Sequence, residues 1–318
     1  MRVAFFGTPE FAVPSLRALV GEGFDVVAVV TQPDAPQGRS RSKLIPPPVK
    51  VAAEAEELTV FQPEKPTDGA FLLRLRATRP DIGVVVAYGH ILKPELLELP
   101  PRGMVNVHPS LLPGLRGAAP VEWAIIRGLE TTGVTIIQLD AGMDSGPILH
   151  QIPHRIEPDV TGGELSAHLA EVGAQAVVET LAMMESTQPP QPVPQDEARA
   201  TYAPKLTRET ARIDWTKDAH AIGCLIRGLD PRPGAWTELN GAELKLFNPK
   251  VTEPPVPGTG APGEVLSTDG SLVIATGPFK DSAGGTVEIF EVQPTGKARM
   301  TTDDWLRGAR LKAGTRLT

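Results

Sequence analysis

The residues with the clearest potential for chemistry are Asn106 and His108, which close the apolar run "GMVNVHP". On a β-strand, side chains two residues apart share one face and lie roughly 6.6 Å apart. The amide of Asn106 can donate a hydrogen bond, and the imidazole of His108 can donate, accept or carry a proton. The pair therefore suits a carbonyl that becomes a tetrahedral oxyanion. The alternative interpretation is a strand end capped by polar residues.

An aspartate can complete this group. The segment "LDAGMDSG", residues 139–146, also follows a predicted strand, so we expect it to open onto the same edge of the sheet. An aspartate beside a histidine can hold its tautomer and stabilise its cation, as in a catalytic triad. Asp144 is the candidate for this role. The alternative for Asp140 and Asp144 is that they only form the glycine-rich turn.

Other sequence patterns argue against several common chemistries. "GTPEF" follows the first predicted strand, but it is not a G-x-G-x-x-G motif, so a dinucleotide site is not expected. His150 and His154 have Pro153 between them and no suitably spaced carboxylate, so no metal site is predicted. The sequence contains no CxxC, HExxH or GxSxG motif. His90, in "YGHIL", is a further residue that can line a pocket at a strand end.

The elements that must position these residues form an α/β pattern. Apolar, β-branched runs alternate with helical patterns, and the runs are residues 2–6, "DVVAVVTQ", "DIGVVVAYG", "GMVNVHP" and "TGVTIIQLD". This alternation predicts a Rossmann-like, doubly wound and mainly parallel sheet that is covered on both faces. Ligands of such sheets bind at the carboxyl ends of the strands. A long amphipathic helix is predicted to begin with a capping box of Thr161 and Glu164.

The composition changes after residue 187. "TQPPQPVPQ", residues 187–195, is rich in proline and predicts a stiff connector. A helix near 217–228 and short strands follow, with hairpin turns at Asn240-Gly241 and Asp269-Gly270. The pattern predicts a small OB-like β-barrel. We therefore predict a catalytic domain at 1–187, a proline-rich linker at 188–205 and an OB-like domain at 206–318.

The bulk composition is that of an ordinary globular chain. Its 318 residues are 41% apolar and 22% charged, and the formal net charge is −7. It contains no apolar run of about 18 residues, so no membrane span is expected. The start "MRVAFFGTPE" lacks the core of a signal peptide, and the single cysteine, Cys224, fits a reducing compartment. We expect a cytoplasmic monomer that does not bind membranes.

Several segments together resemble one enzyme family. They are "FGTPEFAVPSL", "TQPDAPQGR", "VVVAYGHIL", "NVHPSLLPGLRGAAP", "GVTIIQLDAGMDSGPIL" and "IRGLDPRPGAW". In this order they are similar to the methionyl-tRNA formyltransferases, which use 10-formyltetrahydrofolate, and the resemblance covers essentially the whole chain. It implies transfer of a formyl group from that folate to the α-amino group of methionine on initiator tRNA, with no metal.

The resemblance also implies roles for individual residues. The family's catalytic residues match Asn106, His108 and Asp144. In the mechanism that it implies, Asn106 and a protonated His108 meet the negative charge on the formyl oxygen, and Asp144 keeps His108 cationic. The folate-binding segment matches Ser110, Leu111, Leu112 and Pro113. The pteridine is surrounded by the backbone of the segment from Tyr88 to Leu92, which includes Ile91, and by the turn at 140–144, which contains Asp140.

A long excursion at residues 36–50 is predicted to contact the tRNA. Strand-to-helix loops usually have about two to six residues, and longer ones are often functional. This one carries Arg39, Arg41, Lys43 and Lys50 in an otherwise acidic domain, while Leu44 and Ile45 are apolar enough to pack against an unstacked base. The resemblance matches Arg39 to a functionally important arginine of the family. A mobile, solvated loop is the alternative interpretation.

Other functions stay open at this point. A formyltransferase for a small amine such as glycinamide ribonucleotide shares the first domain but lacks the second, and it has a different loop in place of "GTPEF". Formyltransferases for sugar nucleotides match less well at "TQPDAPQGR". A hydrolase that releases formate from the same folate is fused to a dehydrogenase, for which this chain is too short. A non-catalytic RNA-binding protein would not need Asn106, His108 and Asp144 together.

Overall fold

A computed structural model gives the fold of the chain. It describes residues 1–37, 43–187, 189–251, 260–278 and 284–318. The chain divides into two compact units. The first contains Met1–Pro120, Thr131–Arg155 and Ser166–Ala203, and the second contains Val121–Glu130, Ile156–Leu165 and Pro204–Thr318. Within the described ranges, no helix is both long enough and apolar enough to cross a membrane.

The predicted apolar runs form the strands of the first unit, because valine and isoleucine fit a pleated surface that is covered by other elements. Up to residue 130 the elements are β1 (Arg2–Gly7), a 3-10 turn (Glu10–Ala12), α1 (Val13–Gly21), β2 (Asp25–Val30), β3 (Ala35–Gln37), β4 (Lys43–Ile45), α2 (Pro48–Ala55), β5 (Val60–Phe61), α3 (Gly69–Ala77), β6 (Ile82–Val86), α4 (Pro94–Leu97), β7 (Met104–His108), β8 (Arg116–Gly117) and α5 (Pro120–Ile126). They are followed by β9 (Thr131–Gln138), β10 (Ile148–Arg155), α6 (Gly162–Glu185), a 3-10 turn (Glu197–Arg199) and β11 (Tyr202–Ala203).

The main sheet of this unit has the strand order β10-β9-β7-β6-β1-β2-β5. β1 pairs in parallel with β2 and β6, β2 with β5, and β6 with β7. β9 runs antiparallel to β7, and β10 runs antiparallel to β9. The sheet is therefore mainly parallel with an antiparallel hairpin at one edge, which confirms the predicted α/β class.

The capping box predicted for the long helix is present. The side chain of Glu164 accepts the backbone N–H of Thr161 at 2.9 Å, and Thr161 Oγ1 accepts the backbone N–H of Glu164 at 3.3 Å. These two bonds satisfy backbone donors that the first turn of a helix leaves without partners. α6 therefore begins where the sequence places its start.

The second unit is built on an antiparallel sheet. From residue 204 its elements are α7 (Ala219–Gly228), β12 (Ala235–Leu239), β13 (Ala242–Val251), β14 (Val265–Ser267), β15 (Leu272–Pro278), β16 (Gly284–Pro294), β17 (Met300–Thr301) and α8 (Thr302–Ala309). The strand order is β12-β13-β16-β15-β14, and β17 pairs with β16. Asn240-Gly241 turns β12 into β13, with φ angles of 52° and 79°. This β-rich unit agrees with the predicted OB-like domain.

Candidate active site

Strand β7 carries the first two candidate residues. It lies between β6 and β9, where Asn106 pairs with Val85 and Ile137, and His108 pairs with Thr135. Because they are two residues apart on a strand, Asn106 and His108 project from the same face of the sheet. Asn106 is half-buried and His108 is buried. The structure therefore places the amide and the imidazole side by side at the end of an inner strand.

The surroundings of His108 define its tautomer. Its Nε2 lies 3.0 Å from the carbonyl oxygen of Leu115, which can only accept, so Nε2 carries the hydrogen. Burial lowers the pKa of His108 below its ordinary value, and this effect exceeds the opposite effects of the Asp144 carboxylate and the Leu115 carbonyl. The ring is therefore neutral at pH 7, with its lone pair on Nδ1. That a protonated His108 meets the negative charge on the formyl oxygen during the reaction stays a prediction.

Asp144 faces the unprotonated nitrogen of His108. Its Oδ2 lies 3.7 Å from His108 Nδ1 and accepts a hydrogen bond of 2.9 Å from the backbone N–H of Gly117. Asp144 has a left-handed φ of 52°, a conformation in which aspartate is enriched among non-glycine residues. A carboxylate in this position stabilises positive charge on the ring once Nδ1 has taken a proton.

Asp144 reaches His108 by an unexpected route. Since β9 is antiparallel to β7, β9 ends beside the start of β7, where the N–H of Leu139 donates to the carbonyl of Met104. Met104 and His108 are about 13 Å apart along the strand. Residues 140–146 must therefore run back along β7 to bring Asp144 to His108. We expected this segment to open directly onto the edge of the sheet that carries His108. β9 instead ends at the other edge because it is antiparallel to β7, although Asp144 does lie beside His108.

The segment that follows β7 is held by side chains of β9 and β10. Thr135 Oγ1 donates to the carbonyl of Ser110 at 2.6 Å and accepts the N–H of Leu112 at 3.1 Å. Gln151 Nε2 donates to the Leu112 carbonyl and to Thr135 Oγ1, both at 2.9 Å. Ser110 and Leu112 are buried, whereas Leu111 and Pro113 are half-buried. The four residues expected to bind folate thus lie on one braced loop.

The residues expected at the other side of the pteridine have different surroundings. The ring of Tyr88 is buried, and burial raises the pKa of its phenol to about 12. Its carbonyl already accepts hydrogen bonds of 3.0 Å from Thr8 Oγ1 and Gln32 Nε2. Ile91 is 86% exposed and Leu92 is half-buried. Tyr88 therefore shapes this loop, whereas Ile91 presents an open apolar side chain.

Asp140 shapes the turn that carries Asp144. Its Oδ1 accepts the backbone N–H of Gly142 at 2.8 Å and the hydroxyl of Ser145 at 3.1 Å. Both bonds are local, which is typical of an aspartate that stabilises a turn. A contact of Asp140 with folate stays a prediction beside this structural role.

Only some of the residues expected to contact tRNA lie in the described part of the chain. Arg39 and Arg41 lie outside the described residues, and of Lys43 only the backbone is described, in β4, which pairs antiparallel with β3. Lys50 lies in α2, where its Nζ forms an ion pair of 2.9 Å with Asp34. The charge of Lys50 is therefore already compensated within the unit, which corrects its place in the predicted basic cluster.

The histidines of β10 are engaged in pairwise contacts. His150 Nε2 lies 2.9 Å from a carboxylate oxygen of Glu179, and the rings of His154 and His168 are 6.1 Å apart. In the part of the chain that the structure describes, no group of three or more His, Cys, Asp or Glu side chains is arranged to hold a metal. That the reaction needs no metal stays a prediction.

Sequence reasoning missed the groups that hold the three candidates in place. The carbonyl of Leu115 and the N–H of Gly117 contact His108 and Asp144 directly. Every residue has a main-chain carbonyl, and every residue except proline has a main-chain N–H, so these groups leave no signature in the sequence. The threonine at 135 is the exception, because a polar residue inside the apolar run of β9 marks a buried hydrogen-bonding role.

The fold and this site define a class of enzyme. Residues 1–181 match the family described as formyl transferase, and residues 205–310 match the formyl transferase C-terminal domain. The chain belongs to the formyl transferase family.

Curated relatives show which family of formyl transferases the chain belongs to. The chain is 44% identical over 314 residues to the methionyl-tRNA formyltransferase of Syntrophus aciditrophicus, which covers 98% of this chain and 97% of that protein. It is 46% identical over 319 residues to the methionyl-tRNA formyltransferase of Acidobacterium capsulatum, which covers 100% of this chain and 99% of that protein. Within its class, the chain belongs to the methionyl-tRNA formyltransferases.

Solved structures show the same fold in an enzyme with a different acceptor. WlaRD, a sugar 3N-formyl transferase whose crystal structure was determined in the presence of dTDP and 5-N-formyl-THF, matches with a TM-score of 0.67 at 17% identity. The match covers 94% of this chain and 99% of that one. At this identity the likeness concerns the fold alone.

Proposed function

We propose that the chain transfers the formyl group of 10-formyltetrahydrofolate to the α-amino group of the methionine on initiator tRNA, giving formylmethionyl-tRNA for translation initiation. The observation that carries the proposal is a neutral His108 whose Nδ1 faces the Asp144 carboxylate at 3.7 Å, beside Asn106 on the same strand. Membership of the methionyl-tRNA formyltransferases supports the two substrates.

His108 acts as the base. A neutral amine that attacks the formyl carbon must lose a proton as the new C–N bond forms. Nδ1 of His108 holds the lone pair that can take this proton, since Nε2 carries the hydrogen that points at Leu115. The carboxylate of Asp144 then faces the new positive charge. The proton can pass from His108 to the folate nitrogen as the bond between that nitrogen and the formyl carbon breaks.

Asn106 stabilises the charge that develops on oxygen. As the amine attacks, negative charge grows on the formyl oxygen, and the amide of Asn106 projects from the same strand face as the base. Removal of one such donor costs roughly 10²–10³ in kcat in other enzymes. No covalent bond to the enzyme is needed, because holding the amine beside the formyl group supplies much of the rate.

The two substrates contact different parts of the chain in this proposal. The folate contacts the loop at 110–113, which Thr135 holds in place, and the exposed apolar side chain of Ile91. Tyr88, Leu92 and Asp140 complete the folate site, while Arg39, Arg41 and Lys43 contact the acceptor end of the tRNA. The working form is a cytoplasmic monomer without a metal, with its catalytic domain at 1–187 and its tRNA-binding domain at 206–318. Of the linker predicted at 188–205, residues 193–203 belong to the first unit.

A formyl-transfer assay tests the function. The protein is given 10-formyltetrahydrofolate labelled in the formyl group, with initiator methionyl-tRNA, elongator methionyl-tRNA or glycinamide ribonucleotide in separate reactions. We expect rapid labelling of initiator methionyl-tRNA alone. Labelling of glycinamide ribonucleotide would indicate a formyltransferase for small amines, and RNA binding without any labelling would indicate a non-catalytic protein. An Asp144→Asn variant controls for transfer by a contaminating enzyme.

A further inference from the structure

Residues 193–203, here called the strap, lie within the stretch predicted as a linker, yet they belong to the first unit. At one end, the N–H and carbonyl of Val193 pair with Ile148, each at 2.8 Å. At the other end, β11 pairs in parallel with β8. A segment that is bonded at both ends to the loops around the site is a structural part of the catalytic unit.

Gln195 lies between these ends and uses its whole hydrogen-bonding capacity. Its Nε2 donates to the carbonyls of Asp144 at 2.7 Å and Gly146 at 2.8 Å. Its Oε1 accepts from Nε and Nη2 of Arg116, at 3.1 Å and 2.8 Å. A side-chain amide has two donor hydrogens and two acceptor lone pairs, so all four are paired. Gln195 thereby ties the Asp144 loop to Arg116.

Arg116, the partner of Gln195, is buried and fully engaged in hydrogen bonds. Its side chain is only 3% exposed, and its Nη1 and Nη2 donate to the two carboxylate oxygens of Glu197 at 2.9 Å and 2.8 Å. Such bidentate pairs are strong and directional. Since a buried charge without partners is costly, Arg116 stays where Gln195 and Glu197 hold it.

The strap also fixes the second group that contacts His108. Thr201 Oγ1 accepts the N–H of Leu115 at 2.9 Å, next to the carbonyl that receives Nε2 of His108. Gly117 approaches the strap so closely that a Cβ would lie 2.7 Å from the carbonyl oxygen of Ala203. The strap therefore sets both the Leu115 carbonyl and the Gly117 N–H that anchors the Asp144 carboxylate.

We propose that Gln195 is a positioning residue for formyl transfer and that it acts through Asp144. The inference rests on the proposed roles of His108 and Asp144. Without Gln195, the Asp144 carbonyl loses its anchor and the distance between Asp144 and His108 is no longer held. A misplacement of about 1 Å can cost roughly 10²-fold in rate, so we expect kcat to fall by roughly ten- to a hundredfold while KM for both substrates changes little.

Two substitutions distinguish the contribution of the donor end of the Gln195 amide from that of its acceptor end. Gln195→Ala removes all four hydrogen bonds, whereas Gln195→Glu keeps an acceptor for Arg116 and places an oxygen against the carbonyls of Asp144 and Gly146. We expect both to lower kcat. Gln175→Ala is the matched control, because Gln175 is exposed on α6 and its amide donates to Glu179, and it should retain wild-type kinetics. Wild-type kcat in Gln195→Glu would overturn the proposal.

A double-mutant cycle distinguishes positioning from a general loss of structure. If Gln195 acts through Asp144, Gln195→Ala should lower kcat less than about twofold further in an Asp144→Asn protein, because coupled residues are not additive. Additive losses, or a rise in KM at constant kcat, would overturn the proposal.

Retained binding of tetrahydrofolate shows that a variant is folded. If Gln195→Ala does not fold, Gln195→Glu replaces it in the cycle. A wild-type protein that fails to formylate tRNA refutes the proposed function, whereas an active one with unaffected Gln195 variants refutes only this inference.

Discussion

Replacing Asp144 with asparagine tests the electrostatic part of the mechanism. The two side chains have nearly the same shape, and the oxygen of asparagine can still accept the backbone N–H of Gly117, which bonds Asp144 at 2.9 Å. Asparagine also tolerates the left-handed backbone, here with a φ of 52°. The substitution therefore removes the negative charge while the turn keeps its conformation.

The size of the effect follows from one distance. The lost charge lies 3.7 Å from Nδ1 of His108, which becomes cationic when it takes the proton. Coulomb's law gives an attraction of about 4.5 kcal/mol at an effective dielectric constant of about 20, and about 1.1 kcal/mol in water. The side chain of Asp144 is 18% exposed, so the effect lies between these limits. A loss of roughly 2–4 kcal/mol corresponds to a fall in kcat of roughly 30- to 1000-fold.

The assay is kcat as a function of pH with both substrates saturating. Activity is lost in acid as His108 becomes protonated, and because burial lowers the pKa of His108, the acid limb of the wild-type profile should lie below the ordinary value of about 6.5. The carboxylate of Asp144 raises that pKa, so its removal should move the limb to still lower pH. Wild-type turnover, or an acid limb at higher pH, would refute the role assigned to Asp144.

Three further outcomes are expected. Asn106→Ala and His108→Ala should each lower kcat in the labelled-formyl assay by roughly 10²-fold or more, and near-wild-type turnover in both would exclude the assignment. Arg39→Ala should raise KM for initiator tRNA and leave tetrahydrofolate binding unchanged by calorimetry; ordinary tRNA kinetics would contradict its role. Arg299→Ala leaves the buried carboxylate of Asp230 without the hydrogen bonds of 2.6 Å and 3.0 Å that Arg299 donates to it. The substitution should lower the free energy of unfolding in urea by about 2–3 kcal/mol. An unchanged midpoint of the urea transition would contradict this expectation.

The inner strands could be predicted from sequence because they are buried on both faces. β6, "IGVVV", is buried at every position, which produces a continuous apolar run. The direction of β9 could not be predicted in this way. A helix between two strands normally returns the chain for a parallel pair. Here the intervening residues Val121–Glu130 belong to the second unit, so they do not serve as that crossover, and β9 pairs antiparallel with β7.

Residue types indicated candidates for the chemistry, but tertiary contacts decide the charge that these side chains carry. Burial lowers the pKa of His108 and favours the neutral ring, although the Leu115 carbonyl and the Asp144 carboxylate act in the opposite direction. Neither its burial nor its partner Leu115 is evident from the sequence. The same holds for basic residues that looked like tRNA ligands. Lys50, in the excursion at residues 36–50, is paired with Asp34. Counts of Lys and Arg therefore overstate the charge that is left for a nucleic acid.

The positioning role proposed for Gln195, in the strap, also could not be predicted from the sequence. The prolines of residues 187–195, of which Pro194 lies in the strap, argued against a helix or an inner strand there, because proline lacks a backbone N–H and has a fixed φ. Those same properties suit a segment that is bonded to its neighbours. A backbone restricted by proline loses less conformational entropy on folding, and it has fewer N–H donors that need partners. Asn106, His108 and Asp144 can be proposed from the sequence because their side chains suit the chemistry of formyl transfer. Gln195 bonds two carbonyls and a buried guanidinium, which any amide at that point in space could do, so only the fold identifies it.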